Sequence, residues 1–186
     1  EDKARVEPAL ATTSRPYLDT FKGFRLVEGD RLEVFVDQWH FDPNYIAAYA
    51  SPAGLGMPWE VLAAMDRLVF EERRAAYTNT AAQRFGVPWL SLVMPRDSLL
   101  LRRALVGFEE RGFVPRPLSR LGDRPLVSRE EAVARYRAAV QWIDKYQMAV
   151  ISSGPFKLVR FDPAAQFAEL EAFRDPTYPF RPGDWY

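Results

Sequence analysis

The chain has 186 residues, 48% hydrophobic and 14% aromatic, with 25 basic side chains against 25 acidic ones and no cysteine. Such length and apolar content support a folded core and exclude a disordered tail. The even charge, with no basic stripe, argues against a nucleic-acid surface, and the missing cysteines remove disulfides, thiol catalysis and thiolate metal sites together.

Residues 1–21 are Pro- and Thr-containing and weakly periodic, which predicts an irregular lead-in with a helical turn around Tyr17-Leu18. A hairpin follows: Phe24 to Val27, a Glu28-Gly29-Asp30 turn, and Arg31 to Asp37, where Leu32, Val34 and Val36 alternate with charged residues. Phe35 breaks the alternation, so the strand is expected to be covered on both faces. Asp42-Pro43 is an N-cap and first-turn pair for a short helix through Ala50, ended by the break at 51–56. Pro58 opens a longer helix to Ala76, with Val61, Leu62, Met65, Leu68, Val69 and Ala76 at helical spacing.

Thr80 to Phe85 reads as a short helix stopped by Gly86, and 88–94 fits either a buried strand or a helical turn. Pro95 to Arg111 is a helix with Leu101, Ala104, Leu105 and Phe108 inward and Gly112 as its stop. Residues 113–125 hold three prolines and a Gly-Asp pair, hence a loop. Ser128 to Glu131 is a capping box for a helix to Tyr146 with Val133, Tyr136, Val140 and Ile143 on one face. Phe156 to Phe161, a turn at Asp162-Pro163-Ala164-Ala165, and Phe167, Leu170 and Phe173 form a closing hairpin.

This order predicts one α+β domain over 1–186: N-terminal and C-terminal hairpins meeting in one small antiparallel or mixed sheet, with a four- to five-helix middle section and a helical insertion at 77–127. No apolar run approaches the ~20 residues of a membrane-spanning helix. Glu1-Asp2-Lys3 lacks an initiating Met, as expected of an excised or processed piece, so a missing signal peptide carries no weight.

The chemistry-bearing residues are few. His40 is the sole histidine, between Trp39 and Phe41 and just ahead of the Asp42 cap; it suits a helix-entry histidine packed among aromatics better than a general base, having no nucleophile near it. Glu71-Glu72, Glu109-Glu110 and Glu130-Glu131 are adjacent on helices and point apart, unlike a glycosidase pair. Gly154 precedes Pro155, which has no N–H for an oxyanion, and Gly54-Leu55-Gly56 lacks the rest of a dinucleotide motif. No catalytic residue, metal ligand or cofactor is expected. Among the aromatics Trp39, Phe41, Tyr45, Trp59, Trp89, Trp142 and Trp185, the candidate ligand contacts are Trp39 and His40, because they leave a strand at a loop held by rigid support.

The stretch Ser152-Ser153-Gly154-Pro155-Phe156-Lys157-Leu158-Val159, its return through Leu170-Glu171, and a later Asp, Tyr and final Trp185 resemble a motif of extracellular solute-binding proteins of the peptide/nickel class, family 5. Phe156 stands where that motif has Tyr. The unit from Arg31 to Ala50, a strand running into Pro and an aromatic-rich helix, is similar to the family as well, so the resemblance covers about a third of the chain. It implies a lobe of a periplasmic-binding-protein-like fold, with Gly154, Pro155, Phe156, Leu170 and Glu171 as structural motif residues. It further implies capture of a peptide or other small solute between lobes, docking on membrane permease subunits of an ATP-driven (ABC) importer, remaining lobes elsewhere in a parent chain, and an extracytoplasmic, lipoprotein-like setting without enzymatic activity. Two rivals stand beside it: a non-catalytic interaction module with no pocket, and a hydrolase using His40 with carboxylates.

Overall fold

The computed structural model describes residues 2–27, 31–51, 56–123, 125–152, 154–174, 176, 181 and 183. The Glu28-Gly29-Asp30 turn, the 52–55 break, Ser153, Trp185 and most of the 175–186 ending lie outside the described residues. The fold is α+β: among the described residues there are eight α-helices and two antiparallel strand pairs. Two compact units form, Glu1–Leu55 with Ala76–Trp89, and Gly56–Ala75 with Leu90–Tyr186.

In the first unit, residues expected as an irregular lead-in are helical, α1 at Asp2–Val6 and α2 at Pro8–Thr20. Pro8 starts α2 where its missing N–H costs nothing. Thr12 and Thr13 bond back to Pro8 and Ala9 carbonyls at 3.1 and 2.9 Å. None of the α2 side chains is buried, so there is no apolar period for the sequence to display. Between the helices, Glu7 is 1% exposed. Its carboxylate accepts from the Tyr77 N–H at 2.5 Å and the Thr78 hydroxyl at 2.6 Å. Thr78 in turn accepts from the Ala81 N–H, capping α5 at Asn79–Phe85, which Gly86 ends in the left-handed conformation. Ala76 and Trp89 form a parallel bridge, so 88–94 supplies one bridge residue and then a turn rather than a strand.

Strands β1 (Phe21–Leu26) and β2 (Leu32–Val36) pair with Phe24 opposite Val34 and Leu26 opposite Leu32. A bulge at Lys22 is accommodated by Gly23, whose φ of 136° disfavours any side chain. Phe35, expected to be covered, is 47% exposed, with the Arg25 guanidinium 5.9 Å from its ring centre. Helix α3 (Pro43–Ala50) is tied to the end of α2: the Tyr49 hydroxyl bonds Thr20 at 2.6 Å and donates to the Pro16 carbonyl at 3.2 Å.

The second unit is built on α6 (Pro95–Arg111) packed against α8 (Arg129–Tyr146). Leu101, Ala104, Leu105 and Phe108 are buried as their spacing predicts, and Tyr136, Val140 and Ile143 meet them from α8. Gly112 stops α6 at φ 57°. Ser128 caps α8 by accepting from the Glu131 N–H at 3.0 Å, but the expected reciprocal bond is absent because the Glu131 carboxylate takes Arg135. Helix α4 covers Trp59–Asp66 only. A π-helical turn, Arg67–Glu71, continues it, and Arg73 at φ 53° ends it short of the expected Ala76. A four-residue helix, α7 at Arg116–Ser119, interrupts the proline-rich loop.

Strands β3 (Phe156–Asp162) and β4 (Phe167–Ala172) close the unit, joined by a turn in which Asp162 accepts from the Ala164 and Ala165 N–H groups. The single sheet expected from the two hairpins does not form. Each remains a two-stranded sheet with no shared edge, because alternation reports a strand and its faces but not its partner.

The Glu7 carboxylate is the acceptor for two donors 70 positions downstream. Glu7→Ala leaves the Tyr77 N–H without its acceptor, an expected loss of about 1–3 kcal/mol, read as a lower midpoint in urea with an unchanged m-value. Glu7→Gln, which keeps an acceptor oxygen, should recover part of that loss.

Candidate ligand-binding surface

Beyond β2 the backbone is anchored before it turns outward. The Asp37 N–H donates to the Thr20 carbonyl at 2.7 Å, and the Asp37 carboxylate lies 3.6 Å from Lys22 Nζ. Residues 38–42 then carry Trp39, His40 and Phe41 into α3. The His40 ring sits between Phe41 and Tyr45, with centroids at 4.3 and 4.4 Å. Its Nδ1 accepts from the Asp42 N–H at 3.0 Å and lies 3.2 Å from the Asp42 carbonyl oxygen. Asp42 Oδ1 accepts from the Asn44 N–H at 2.9 Å and from Asn44 Nδ2 at 3.0 Å.

These bonds hold aromatic rings that the fold leaves open. Trp39 is 81% exposed, Phe41 82% and Tyr45 64%. Single exposed apolar residues are ordinary, but three large rings within seven positions, on a turn fixed by hydrogen bonds, form a surface suited to contact. Trp39 and His40 thus occupy the same turn, Trp39 projecting outward and His40 serving as the inner ring of the stack.

Acid–base work is poorly served there. Asp42 is engaged with Asn44, Asp37 with Lys22, and His40 is bounded by rings, so neither aspartate orients the imidazole as a hydrolase would need. One member of each glutamate pair is likewise taken up: Glu72 by Arg67, Glu109 by Arg137 and Glu131 by Arg135. Among the described residues no group of three or more His, Asp or Glu could hold a metal ion, and no helix is long and apolar enough to cross a membrane.

The other tryptophans among the described residues hold structure. Trp89 Nε1 donates to the Tyr77 carbonyl at 2.9 Å, Trp59 meets Tyr136 edge-on, and Trp142 packs on Tyr146.

In the closing hairpin the Pro155 carbonyl accepts from the Phe173 N–H at 2.8 Å, while Phe156 faces Ala172 and Leu170 faces Leu158 across the strands. Phe156 and Leu170 are exposed, and Gly154 is half-buried. Glu171 pairs with Lys157 at 3.0 Å. The Lys157 ammonium also acts on the Tyr146 phenol at the end of α8. Lys145, and then Lys157, hold that phenol below its ordinary range, and Glu171 in turn raises Lys157. This clamp was not legible from sequence, since Tyr146 and Glu171 belong to different elements.

Two further polar features of the second unit were also missed. Tyr136 is buried, and burial together with the nearby Glu60 carboxylate pushes its hydroxyl up. Arg102 donates from Nε and Nη2 to the two Asp144 carboxylate oxygens beside a groove of about 160 Å³ lined by Pro95, Ser98, Leu99, Ile143 and Gln147.

The sequence matches no family model and no curated protein.

The Asp42 amide is held by the His40 ring nitrogen, so His40→Ala should speed its hydrogen exchange, while the Ala82 amide, bonded inside the first unit to the Thr78 carbonyl, should not change. In the second unit the Arg102 guanidinium lowers the proton affinity of Asp144 on folding. An acid shifted that way stabilises the fold above its unfolded value of about 4, and the contribution is lost as the pH falls through the lower folded value. Asp144→Asn should therefore be less stable than the parent at neutral pH and converge with it in acid, as followed by thermal melts across the pH range.

Proposed function

We propose that the chain is a lobe of an extracytoplasmic solute-binding protein that captures peptides or similar small solutes for an ATP-driven importer. The observation that carries this reading is the aromatic surface of Trp39, Phe41 and Tyr45, fixed by His40 and Asp42 inside the strand-to-helix unit that resembles the family. The paired strands following Gly154-Pro155 support it, since the motif there requires a hairpin. In such proteins two lobes close about a hinge on the ligand and the closed form docks on the permease, so the work is done by binding free energy without covalent chemistry. Exposed rings on a rigid backing suit one wall of such a site, because they offer wide contact area at little cost in side-chain entropy.

A second reading is favoured by the open faces of the first hairpin, where Phe24, Leu26, Leu32 and Phe35 are all exposed: an interaction module that binds another protein without a pocket.

The natural gene product decides between them. A mixture of dipeptides to pentapeptides at 100 times its Kd should stabilise a capture protein by about 2.7 kcal/mol, seen as a raised melting temperature, and Trp39→Ala should diminish the shift. A product that melts unchanged in every peptide mixture, and sediments as a stable homodimer, would overturn capture in favour of the module.

A further inference from the structure

Two guanidinium groups of the second unit are brought to one spot. Gly107 lies inside α6, where a glycine favours the helix less than alanine would, and two arginines lie over the room it leaves. A Cβ on Gly107 would stand 3.6 Å from Arg111 Nη1, 3.7 Å from Arg67 Nη1 and 3.9 Å from Arg111 Nη2. Arg111 reaches that point from one turn further along α6, because helical side chains lean toward the N-terminus. Arg67 reaches it from the first position of the π-helical turn. Both guanidinium groups also rest over the buried Phe108 ring, 5.3 Å from its centre for Arg67 and 5.6 Å for Arg111, so the ring holds them in place.

Like charges held this close repel unless an anion offsets them. Glu72 answers for one of the two: it accepts from Arg67 Nε at 2.7 Å, leaving Nη1 at the Gly107 spot. Glu109 is taken by Arg137, Glu60 is buried and acts on Tyr136, and among the described residues the Arg111 guanidinium makes no ion pair. We propose that Arg67 and Arg111 form a binding site for the phosphate group of a small soluble ligand. The proposal goes beyond the capture reading and does not depend on it. The two Nη1 atoms are separated by at most about twice their distance from the Gly107 point, a span that one phosphate bridges with an oxygen on each arginine. A carboxylate spends both its oxygens on a single guanidinium fork, whereas a phosphate has oxygens left for the second. A lipid surface or a nucleic acid needs a spread of cations, which a chain of 25 basic and 25 acidic side chains without a basic stripe does not offer.

The test titrates the natural gene product with inorganic phosphate and with acetate at one ionic strength, followed by calorimetry. Phosphate should bind about tenfold tighter than acetate. Arg111→Gln, at an exposed position, should weaken phosphate about tenfold with the far-UV spectrum unchanged, and Arg111→Lys, which keeps the charge but not the fork, should recover only part of the loss. Gly107→Ala sets a methyl where the guanidinium groups meet; it should weaken phosphate while leaving the melting temperature equal or higher, since alanine is the better helix former. Arg103→Gln, an exposed arginine on the same helix, should leave phosphate binding unchanged. Equal affinity for phosphate and acetate overturns the site. So does a loss with Arg103→Gln as large as with Arg111→Gln, which would mean diffuse attraction rather than a built pair. Silence with free phosphate, alongside partition onto phosphatidylglycerol vesicles that Arg111→Gln abolishes, would put the phosphate on a lipid and overturn the soluble ligand.

Discussion

Among the described residues neither hairpin acquires a third strand, and much of the architecture answers that constraint. A two-stranded sheet is marginal in water, because one face can be backed while the edges and the other face stay open. Each hairpin is therefore held from outside its own ladder. In the first unit the Thr20 carbonyl takes the Asp37 N–H where β2 ends, and Tyr49 fastens α3 to the end of α2. In the second, the Phe173 N–H beyond β4 donates to the Pro155 carbonyl ahead of β3, and Lys157 pairs with Glu171 across the strands. The apolar core falls to helices, above all the α6–α8 pair around Leu101, Leu105, Phe108 and Tyr136. The hairpins are left as presenting elements rather than core elements.

The turn after β2 shows how presentation is achieved. Local hydrogen bonds do the fixing: the Asp42 backbone amide on His40 and its carboxylate on the first turn of α3. Because those bonds need no burial, the rings they position can stay in water. Ordinarily a large aromatic is positioned by being packed, which removes it from use. Here His40 takes the packed place between Phe41 and Tyr45, and the outer faces remain available.

Legibility in the sequence tracked burial. Helix α6 was readable from end to end because Pro95 starts it, Gly112 stops it, and Leu101, Ala104, Leu105 and Phe108 repeat at helical spacing. Helix α2 was not, since it buries nothing and contains Pro16, an interruption that ordinarily ends a helix. The π-helical turn at Arg67–Glu71 was hidden because Leu68 and Val69 keep the apolar spacing of α4 through it. The closing hairpin and its Asp162 turn could be read because the signal is local, whereas the pairing of hairpins into a sheet could not. Trp39 and His40 were chosen as candidates by position, at a strand's exit. The reading of His40 as a helix-entry histidine packed among aromatics agrees with its place against Phe41 and Tyr45, though which rings it would meet was not given by sequence.

The long reach of Glu7 bears on how the chain is made. Its acceptor oxygens wait for Tyr77 and Thr78, and the first unit is completed only when residues 76–89 return to it. Synthesis proceeds from the N-terminus, so α1, α2, both early strands and α3 are all made before the segment that satisfies this carboxylate. Closing so long a loop carries an entropic cost that local helix formation does not. Until that segment folds back, Glu7 stays hydrated rather than buried and the first unit lacks the contacts that complete it.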